Sequence, residues 1–340
     1  MLLTICTIRQ LPQALALGDT LNQFTATGQT ESILIGLADD PAHLPPGFVS
    51  AYPILPIGEL LPTEQLVALS AKYTPTEFAA ACKPLFIAEA FRRYPAIDKL
   101  IYADPNIHFL SSLAPVLDRL DTADILLIPF ITKNLVNGPT DKAWPDEKFF
   151  QNIGLYSSDF LAFRRSAETD RLLAWWDNRV RERAFINYCE GLCLDQIWLM
   201  HVPVMFQEVA IVKNPGWHIG LWNLHERSIQ QQSGNWQASG PGGLKEPVLF
   251  VNFKGILNPN EGFFPYQNRV RISEKPELMT LLANYRQVIA RHQTLPFAAI
   301  NPAYGQQHEP PIVRGWRYAT IKSMKAVTSF LDRVQIPVIN

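Results

Sequence analysis

Residues 99–107 read Lys-Leu-Ile-Tyr-Ala-Asp-Pro-Asn-Ile, a short apolar run that ends on an acidic turn. We interpret Lys99–Tyr102 as a buried strand, because a short apolar run bounded by turn residues is typical of one. Further apolar runs occupy Leu2–Thr7, Glu31–Leu37 and Ile125–Pro129, and helical patterns separate them. This alternation predicts an α/β fold, in which helices flank both faces of a mostly parallel sheet.

The helices between these strands carry their own boundary signals. Leu11–Phe24 has a helical pattern, and Thr74-Pro75-Thr76-Glu77 is a capping box with proline at the first helical position. Pro84 lies inside the helix that this box opens and should kink or restart it. Residues 41–62 are rich in proline and predict a loop with a short strand around Ala51–Ile57.

The second half of the chain has a different pattern. We predict a strand–turn–strand over Asn152–Arg164, a long helix over Asp170–Tyr188 and the start of a helix at Asp195–Val202. The remaining predicted elements are a flexible loop or hairpin tip at Ser233–Gly243, a strand at Val248–Phe253, and helices at Pro276–His292 and Gly315–Val334.

The composition is that of a folded, nearly neutral protein. The chain has 340 residues, of which 47% are hydrophobic and 18% are charged, and its formal net charge is -1. These values exclude a disordered polyelectrolyte, and no global positive charge attracts nucleic acid. At about 150 residues per domain, the length corresponds to roughly two domain-sized units.

Cysteine usage and the apolar runs indicate the compartment. The four scattered cysteines fit neither a disulfide framework nor a zinc site, which favours a reducing compartment. The apolar run at Ile125–Ile131 is far shorter than the about 20 residues that span a bilayer. Met1–Thr7 lacks a positive leader and predicts a buried strand rather than a signal peptide. We therefore expect a soluble or peripheral cytoplasmic protein.

Polar side chains follow the predicted strands, and ligands of parallel sheets gather where strands end. Asp39 and Asp40 follow one strand, and Asp104 and Asn106 follow another. A carboxylate and a second oxygen ligand two residues later can face one cation that bridges a diphosphate. The alternative, which this feature alone favours, is an ordinary Asp-Pro-Asn turn.

Leu194-Asp195-Gln196-Ile197-Trp198 is a second candidate for chemistry. The functional hypothesis is that Asp195 orients a sugar hydroxyl, with Gln196 beside the reacting carbon. The alternative, which the motif alone favours, is that Asp195 only caps the helix that follows.

Two stretches nearer the C-terminus mix aromatic rings with polar groups. Residues 214–227 combine aromatic faces with several hydrogen-bonding side chains, which suits a sugar or a base. A well-packed strand and turn is the alternative there. Phe250–Gly255 ends a strand on an amide and an ammonium, and its glycine would let a phosphate approach the backbone.

Taken in order, these stretches resemble the GT-A-fold glycosyltransferases of bacteria, which use nucleotide-diphosphate sugars. The resemblance is greatest with the retaining, glycogenin-like branch and its uncharacterised bacterial relatives, over about residues 1–270. The stretches that carry it are Glu77-Phe78 to Lys83-Pro84, Tyr102 to Ile107, Asn152-Ile153-Gly154, Asp195-Gln196, Trp222 to Arg227, and Asn252 to Gly255. It implies a Rossmann-type GT-A fold and transfer of a sugar from a nucleotide-diphosphate donor to an acceptor hydroxyl, in cell-surface glycan synthesis.

The resemblance also implies a role for individual residues. The implied positions are Asp195 and Gln196 for catalysis; Thr7, Asp39, Lys83, Asp104, Asn106, Asn152 and Lys254 for donor binding; Trp222, Asn223 and His225 for acceptor binding; and Asp104, Asn106 and Asn252 for a divalent metal. The implied partners are a nucleotide-sugar donor and a glycan or lipid-linked acceptor. The implied cofactor is Mn²⁺ or Mg²⁺, weakly held or absent.

The sequence departs from the family at two of the three implied metal ligands. Asn106 replaces a carboxylate and Asn252 replaces an imidazole, and one remaining carboxylate holds a metal poorly without substrate phosphates. The metal then binds only with the nucleotide, or cationic side chains such as Lys83, Arg227 and Lys254 neutralise the diphosphate instead. A degenerate protein that only binds carbohydrate or nucleotide is the third outcome.

Two competing enzyme classes lack their expected signature. A nucleotidyltransferase or a dinucleotide oxidoreductase would show a glycine-rich phosphate loop near the first strand, and Thr4–Leu11 contains no glycine. We divide the chain into a nucleotide-sugar-binding half at residues 1–135, an acceptor-binding half at 136–275 and a C-terminal helical extension at 276–340.

The predicted terminal helix combines basic and apolar side chains. Arg317 and Lys322 alternate there with Trp316, Met324 and Phe330. Such a helix can dock on an anionic membrane near a lipid-linked acceptor. The alternative, which a single basic helix favours, is that its apolar stripe packs on the second half of the chain.

Overall fold

Helices and strands alternate along the computed structural model, which describes residues 1–24, 32–135 and 143–331. The strands of these residues are β1 Leu2–Cys6, β2 Ile33–Leu37, β3 Ile54–Pro56, β4 Lys99–Ala103, β5 Ile107–Phe109, β6 Ile125–Pro129, β7 Tyr156–Arg164, β8 Ile186–Asn187, β9 Leu192–Cys193, β10 Val209–Ile211, β11 Ser228–Gln232, β12 Asn235–Ser239, β13 Lys245–Pro247 and β14 Phe250–Asn252. The α-helices are α1 Leu11–Asn22, α2 Thr63–Lys72, α3 Pro75–Arg93, α4 Ala114–Arg119, α5 Glu147–Ile153, α6 Ala167–Arg183, α7 Val202–Met205, α8 Pro276–His292 and α9 Trp316–Leu331. Short 3-10 helices occupy Ile8–Gln10, Pro41–His43, Ile57–Glu59, Gln196–His201, Pro241–Gly243, Ile272–Glu274 and Phe297–Ala299.

Seven of the described strands form a central sheet in the order β10-β6-β7-β4-β1-β2-β3. β7 pairs antiparallel with β4 and with β6, and the remaining neighbours are parallel. Helices α3 and α6 cover one face, where Phe86 and Trp176 are fully buried, and α1 and α4 contribute to the core on the other. The predicted fold class, a mostly parallel α/β sheet flanked by helices, is confirmed.

The capping box at the start of α3 forms as predicted. Glu77 N donates to Thr74 Oγ1 at 3.3 Å, and Thr74 N donates to Glu77 Oε2 at 3.0 Å. Of the two effects predicted for Pro84, a restart of the helix is wrong, because α3 continues through it to Arg93, and a kink stays a prediction. Apolar side chains of α3 are buried on both sides of Pro84, and this packing outweighs the hydrogen bond that proline cannot donate.

The predicted strand–turn–strand over Asn152–Arg164 is also wrong. α5 reaches Ile153 and is followed by Gly154, whose φ of 103° favours glycine. A single strand, β7, then runs for nine residues and is buried over most of its length. The glycine ends a helix here rather than joining two strands.

Two other predicted elements shift at their ends. The helix predicted over Asp170–Tyr188 is α6, which begins earlier because Ser166 Oγ accepts from Thr169 N at 3.1 Å and caps it. It ends earlier because β8 pairs with β9 in a short hairpin. The hairpin tip predicted over Ser233–Gly243 is narrower, since β12 already pairs with β11 from Asn235 onward.

The structure divides into two units, Met1–Gln307 and His308–Asn340. α8 belongs to the first unit and lies against α1, where His292 Nε2 is 2.7 Å from Asp19 Oδ2. α9 belongs to the second unit. The predicted boundaries after residues 135 and 275 stay predictions.

Parts of three predictions fall outside the described residues: Glu31 at the start of the second strand, the domain boundary at residue 136, and the last three residues of the terminal helix. Within the described ranges, no helix has both the length and the apolar content needed to cross a bilayer. The four cysteines are all described, and none forms a disulfide.

Candidate functional site

Two neighbouring strands place carboxylates side by side at one edge of the sheet. β4 ends at Ala103, which lies opposite Phe160 on the antiparallel strand β7. Asp104 N donates to Asp159 O at 2.7 Å, so the side chains of these two aspartates start from adjacent positions. The carboxyl ends of the parallel strands meet at this edge, which is where such sheets bind ligands.

Lys254 joins the two carboxylates. Its ammonium nitrogen lies 2.5 Å from Asp104 Oδ2 and 2.6 Å from Asp159 Oδ1. We call these three side chains the Lys254 cluster. Their exposed fractions are 20% for Lys254, 10% for Asp104 and 12% for Asp159, so the cluster keeps an opening to solvent.

The turn that was predicted as the alternative at Asp104 forms together with the cluster. Asp104 Oδ1 accepts from Asn106 N at 2.9 Å, which closes the Asp-Pro-Asn turn and leaves Oδ2 for Lys254. Asn106 Nδ2 donates to Asp104 Oδ1 at 3.2 Å and to Glu261 Oε1 at 2.9 Å. The amide oxygen of Asn106 is buried and finds no hydrogen-bond partner among the described residues.

Asn252 supports the cluster from the end of β14. Its Nδ2 donates to Asp159 Oδ2 at 2.9 Å, and its Oδ1 accepts from Lys254 N at 2.9 Å. The same Nδ2 lies 3.3 Å from His218 Nε2. Burial lowers the pKa of His218 to about 3, and the nearby charges of Arg227 and Lys254 contribute to this shift. His218 is therefore neutral and accepts at Nε2.

The charges of the Lys254 cluster depend on one another. Burial raises the pKa of Asp104, Lys254 opposes that rise, and Asp159 adds to it. Burial alone would lower the pKa of Lys254, but the two carboxylates outweigh burial and raise it well above its usual range. With all three groups ionised, the cluster carries one negative charge in excess. Burial and Asp104 also raise the pKa of the neighbouring Glu261.

A second ion pair lies beside Ser158, the residue of β7 that precedes Asp159. Lys83 Nζ is 2.5 Å from Asp195 Oδ2, and Ser158 Oγ is 2.9 Å from Lys83 Nζ and 3.1 Å from Asp195 Oδ1. We call Lys83 and Asp195 the Lys83 pair. Their side chains are 7% and 2% exposed, so this pair is buried more deeply than Lys254, whose side chain is 20% exposed. The alternative that Asp195 caps the helix after it is wrong, because its side chain makes no capping hydrogen bond.

Tyr102 connects the two ion pairs. The Lys83 ammonium lies 4.8 Å from the centroid of its ring. Burial raises the pKa of Tyr102, and the carboxylates of Asp104, Asp159 and Asp195 all raise it further. All three carboxylates are therefore within electrostatic reach of one phenol, and we treat the Lys254 cluster and the Lys83 pair as one site.

Gln196 contacts the last residue of α5, the helix that also carries Asn152. Gln196 is buried, and its Nε2 donates to Ile153 O at 2.5 Å. The backbones of Gly154 and Gln196 pack closely, since a methyl group on Gly154 would come within 3.1 Å of Gln196 O. Asn152 is half-buried in the last turn of α5. The predicted catalytic role of Gln196 and donor-binding role of Asn152 stay predictions.

Asp39 and Thr7 lie at the ends of β2 and β1. Asp39 Oδ2 accepts from Ile8 N at 3.1 Å, and its Oδ1 accepts from Asp40 N at 3.0 Å and from Ala303 N at 2.8 Å. Asp39 is thus bonded to three backbone amides and fixes the segment near Ala303 against the sheet edge. Thr7 is buried at the start of the 3-10 helix that follows, where its backbone N donates to Gln10 Oε1 at 3.4 Å. The donor-binding roles predicted for both residues stay predictions.

The predicted acceptor residues differ in exposure. Asn223 is buried, and its Nδ2 donates to Phe130 O and to His218 O, both at 3.1 Å. The Trp222 ring is buried, 5.0 Å from the His218 ring and 5.2 Å from Phe130. His225 is half-buried, and no described residue is a hydrogen-bond partner of its Nε2. The contacts of Trp222 and Asn223 are those of packed core residues, so the acceptor role stays a prediction that His225 fits best.

Asp159 and Glu261 were not predicted from the sequence. Asp159 follows Ser157 and Ser158, and these polar residues interrupt an otherwise apolar stretch at the start of β7. A polar residue near the end of a buried strand is a usable signal for a site. The predicted strand–turn–strand explains these polar residues as part of a turn, so it does not point to a site at Asp159. Glu261 lies in a loop, and no sequence pattern marks it.

Two carboxylates of the site are hard ligands of the kind that Mg²⁺ or Mn²⁺ binds, and they belong to Asp104 and Asp159. Asn106 and Asn252 turn their amide nitrogens toward these carboxylates, at 3.2 Å from Asp104 Oδ1 and 2.9 Å from Asp159 Oδ2. The metal-binding roles predicted for Asp104, Asn106 and Asn252 stay predictions. No group of three or more His, Cys, Asp or Glu side chains poised around a metal occurs in the part of the chain that the structure describes.

Comparisons with known proteins give one sequence relative and several similar solved structures. No family model matches the chain. The chain is 24% identical over 262 residues to the uncharacterized protein YfnF of Bacillus subtilis strain 168. The aligned region covers 76% of this chain and 82% of that protein.

The similar solved structures include glycosyltransferases. Mouse xyloside xylosyltransferase 1 in its apo form is 14% identical, covers 65% of this chain and 88% of its own, and gives a TM-score of 0.37. The galactosyltransferase LgtC in complex with donor and acceptor sugar analogues is 13% identical to this chain. The match covers 87% of this chain and 97% of LgtC, with a TM-score of 0.44. An active-site mutant of LgtC is 12% identical over the same shares and gives 0.45. At these identities and TM-scores, the functional conclusion rests on the contacts within this chain.

Proposed function

We propose that this protein is a glycosyltransferase that moves a hexosyl unit from a nucleotide-diphosphate donor to an acceptor hydroxyl. The observation that carries the proposal is the Lys254 cluster at the carboxyl edge of the sheet, with the Lys83 pair on the adjacent residue of β7. An ammonium and carboxylates at such an edge suit a diphosphate and its counter-cation. In this proposal Asp195 holds the sugar that is joined to the diphosphate.

The chemistry of sugar transfer assigns a task to each ion pair. The bond between the anomeric carbon and a diphosphate oxygen breaks, so positive charge develops on the sugar and negative charge on the leaving group. Lys254 stabilises the leaving diphosphate, and Asp195 steadies the sugar cation and the acceptor hydroxyl. A divalent cation held by Asp104 would supply further charge neutralisation at the diphosphate.

The panel that tests this function uses a set of nucleotide sugars, each with and without Mn²⁺, and measures the nucleoside diphosphate released. We expect slow hydrolysis of one donor by the wild type. Asp195→Asn should lower that turnover about 10²-fold or more, because the charge that steadies the sugar cation is lost. Asp118→Asn, at an exposed aspartate of α4, is the matched control and should behave as the wild type. Undiminished turnover in Asp195→Asn would remove that residue from the mechanism.

A binding protein without turnover is the second candidate, and the burial of Asp195 favours it. A carboxylate that is 2% exposed and paired with Lys83 resembles a structural ion pair. Thermal stabilisation by a nucleotide sugar without any release of nucleoside diphosphate would support this candidate against the transferase.

We further propose a cytoplasmic protein that meets a glycan or lipid-linked acceptor in cell-surface glycan synthesis, with α9 touching an anionic membrane. The basic residues Arg317 and Lys322 and the apolar residues Trp316 and Ile321 of α9 support that contact. Pelleting with anionic liposomes tests it. The wild type should pellet, and a chain without residues 313–340 should stay in the supernatant; equal pelleting would remove α9 from the proposal.

A further inference from the structure

A diphosphate needs positive charge, and the three predicted cations are already engaged. Lys83 is paired with Asp195. Arg227 is buried and donates from Nη1 to the carbonyl oxygens of Pro215 and Trp217. Lys254 is shared by two carboxylates. An anion approaching the Lys254 cluster would therefore meet excess negative charge unless a further cation came with it.

The cluster has the arrangement of a cation site that an ammonium occupies. Oxygens from two different strands, Asp104 Oδ2 and Asp159 Oδ1, converge on the one nitrogen of Lys254 at 2.5 and 2.6 Å. Two converging carboxylate oxygens also suit a small divalent cation, which binds such ligands at about 2.0–2.1 Å. Beside them, Asn106 donates from Nδ2 to Asp104 Oδ1 at 3.2 Å, and its amide oxygen is buried without a hydrogen-bond partner in the described structure.

The side chain of Lys254 has room to move its ammonium away from the two carboxylates. It keeps 20% of its side chain exposed, and its aliphatic stem passes Gly262, where an added methyl group would come within 3.1 Å of Cγ. The glycine therefore leaves room beside the stem. A long, flexible lysine side chain can move its charge by several ångströms while its backbone stays in place.

We propose that Asp159 supplies the second carboxylate of a divalent-cation site and that Lys254 is the resident counter-ion of that site. Asp104 and Asp159 exchange the ammonium for a cation that enters with a diphosphate, and the freed ammonium pairs with phosphate oxygens. The exchange moves no proton and makes no covalent bond. Asp159 thus restores the carboxylate that the sequence lacks at Asn106. The proposal rests on the proposed function only for the choice of a diphosphate as the anion.

The exchange predicts how Mn²⁺ and inorganic pyrophosphate act together. Thermal unfolding of the full chain is measured with each alone and with both, since a ligand that binds only the folded state raises the melting temperature. We expect little stabilisation by either alone and a clear rise with both. Asp159→Asn should lose this joint effect, while Asp118→Asn should keep it. Equal stabilisation by pyrophosphate with and without Mn²⁺, or a joint effect retained in Asp159→Asn, would overturn the proposal.

Lys254→Gln gives the second readout, with the opposite sign. Without the ammonium of Lys254, the carboxylates of Asp104 and Asp159 repel each other. A divalent cation can then bind them without a diphosphate, because no ammonium has to be drawn away first. Mn²⁺ alone should then bind about tenfold tighter than to the wild type, as measured from the electron paramagnetic resonance signal of the free ion. A purely structural Lys254 would give equal or weaker binding in the variant, and that result would overturn the proposal even if Asp159→Asn failed to fold.

The two proposals fail in different ways. A protein that releases no nucleoside diphosphate from any nucleotide sugar but shows both Mn²⁺ effects refutes the transferase and keeps the exchange. A protein that hydrolyses a donor equally with or without Mn²⁺, and shows neither Mn²⁺ effect, keeps the transferase and refutes the exchange.

Discussion

Replacing Lys83 by methionine should lower the free energy of unfolding by about 3–5 kcal/mol. The Asp195 carboxylate is 2% exposed, and Lys83 is the cation that compensates it at 2.5 Å. Methionine has a similar length but no charge, so the carboxylate would remain buried, and among the described residues its side chain would keep only the hydrogen bond from Ser158. Urea unfolding followed by circular dichroism measures the change.

The matched control for Lys83→Met is the double variant Lys83→Met/Asp195→Asn. It removes the orphaned charge as well, so most of the lost stability should return. A single variant that unfolds like the wild type would contradict a closed ion pair and would mean that water reaches Asp195. That result would also strengthen the case for Asp195 as a group that meets the sugar.

Lys254→Ala should reduce kcat for the nucleotide-sugar donor about 10²–10³-fold, the usual effect of removing one group that stabilises developing negative charge. The fall should lie in kcat more than in KM, because the charge on the diphosphate grows as the sugar leaves. Initial rates of nucleoside diphosphate release at several donor concentrations separate the two constants.

Lys148→Ala is the control for the lysine substitution, since Lys148 is exposed on α5 and lies outside the site. It should leave both constants unchanged. If Lys254→Ala raised only KM, the ammonium would bind the donor equally in its ground state and its transition state. That outcome would confine Lys254 to binding.

The fold was predictable from the sequence because its central strands are nearly continuous apolar runs. A strand that is buried on both faces does not alternate apolar and polar residues. Continuous apolar runs therefore indicate such strands, as they do at Leu2–Cys6 and Ile125–Pro129. The capping box at Thr74 is likewise a local signal, since all its hydrogen bonds lie within four residues. Elements whose stability is local could therefore be located from the sequence alone.

The site was only partly predictable, because its contacts join residues far apart in the chain. Asp104 and Lys254 could be named from their motifs, but their meeting depends on β14 pairing with β5. Asp159 reaches them only because β7 inserts between β4 and β6, and nothing in residues 156–164 encodes that strand order. The same holds for Asp195, whose local pattern predicts a helix cap and whose actual partner is Lys83, more than a hundred positions earlier.

Helix α8 has a consequence for anyone who shortens this protein. The hydroxyl of Tyr285 donates to Pro105 O at 3.1 Å, and its ring stacks on Phe253 at 4.7 Å. One tyrosine thus braces both the loop that carries Asp104 and the strand end that carries Lys254. A truncation placed at the predicted boundary after residue 275 would leave Asp104 and Lys254 in the chain but would remove the tyrosine that contacts both of their neighbours. A shortened chain that keeps the site intact must therefore include helix α8.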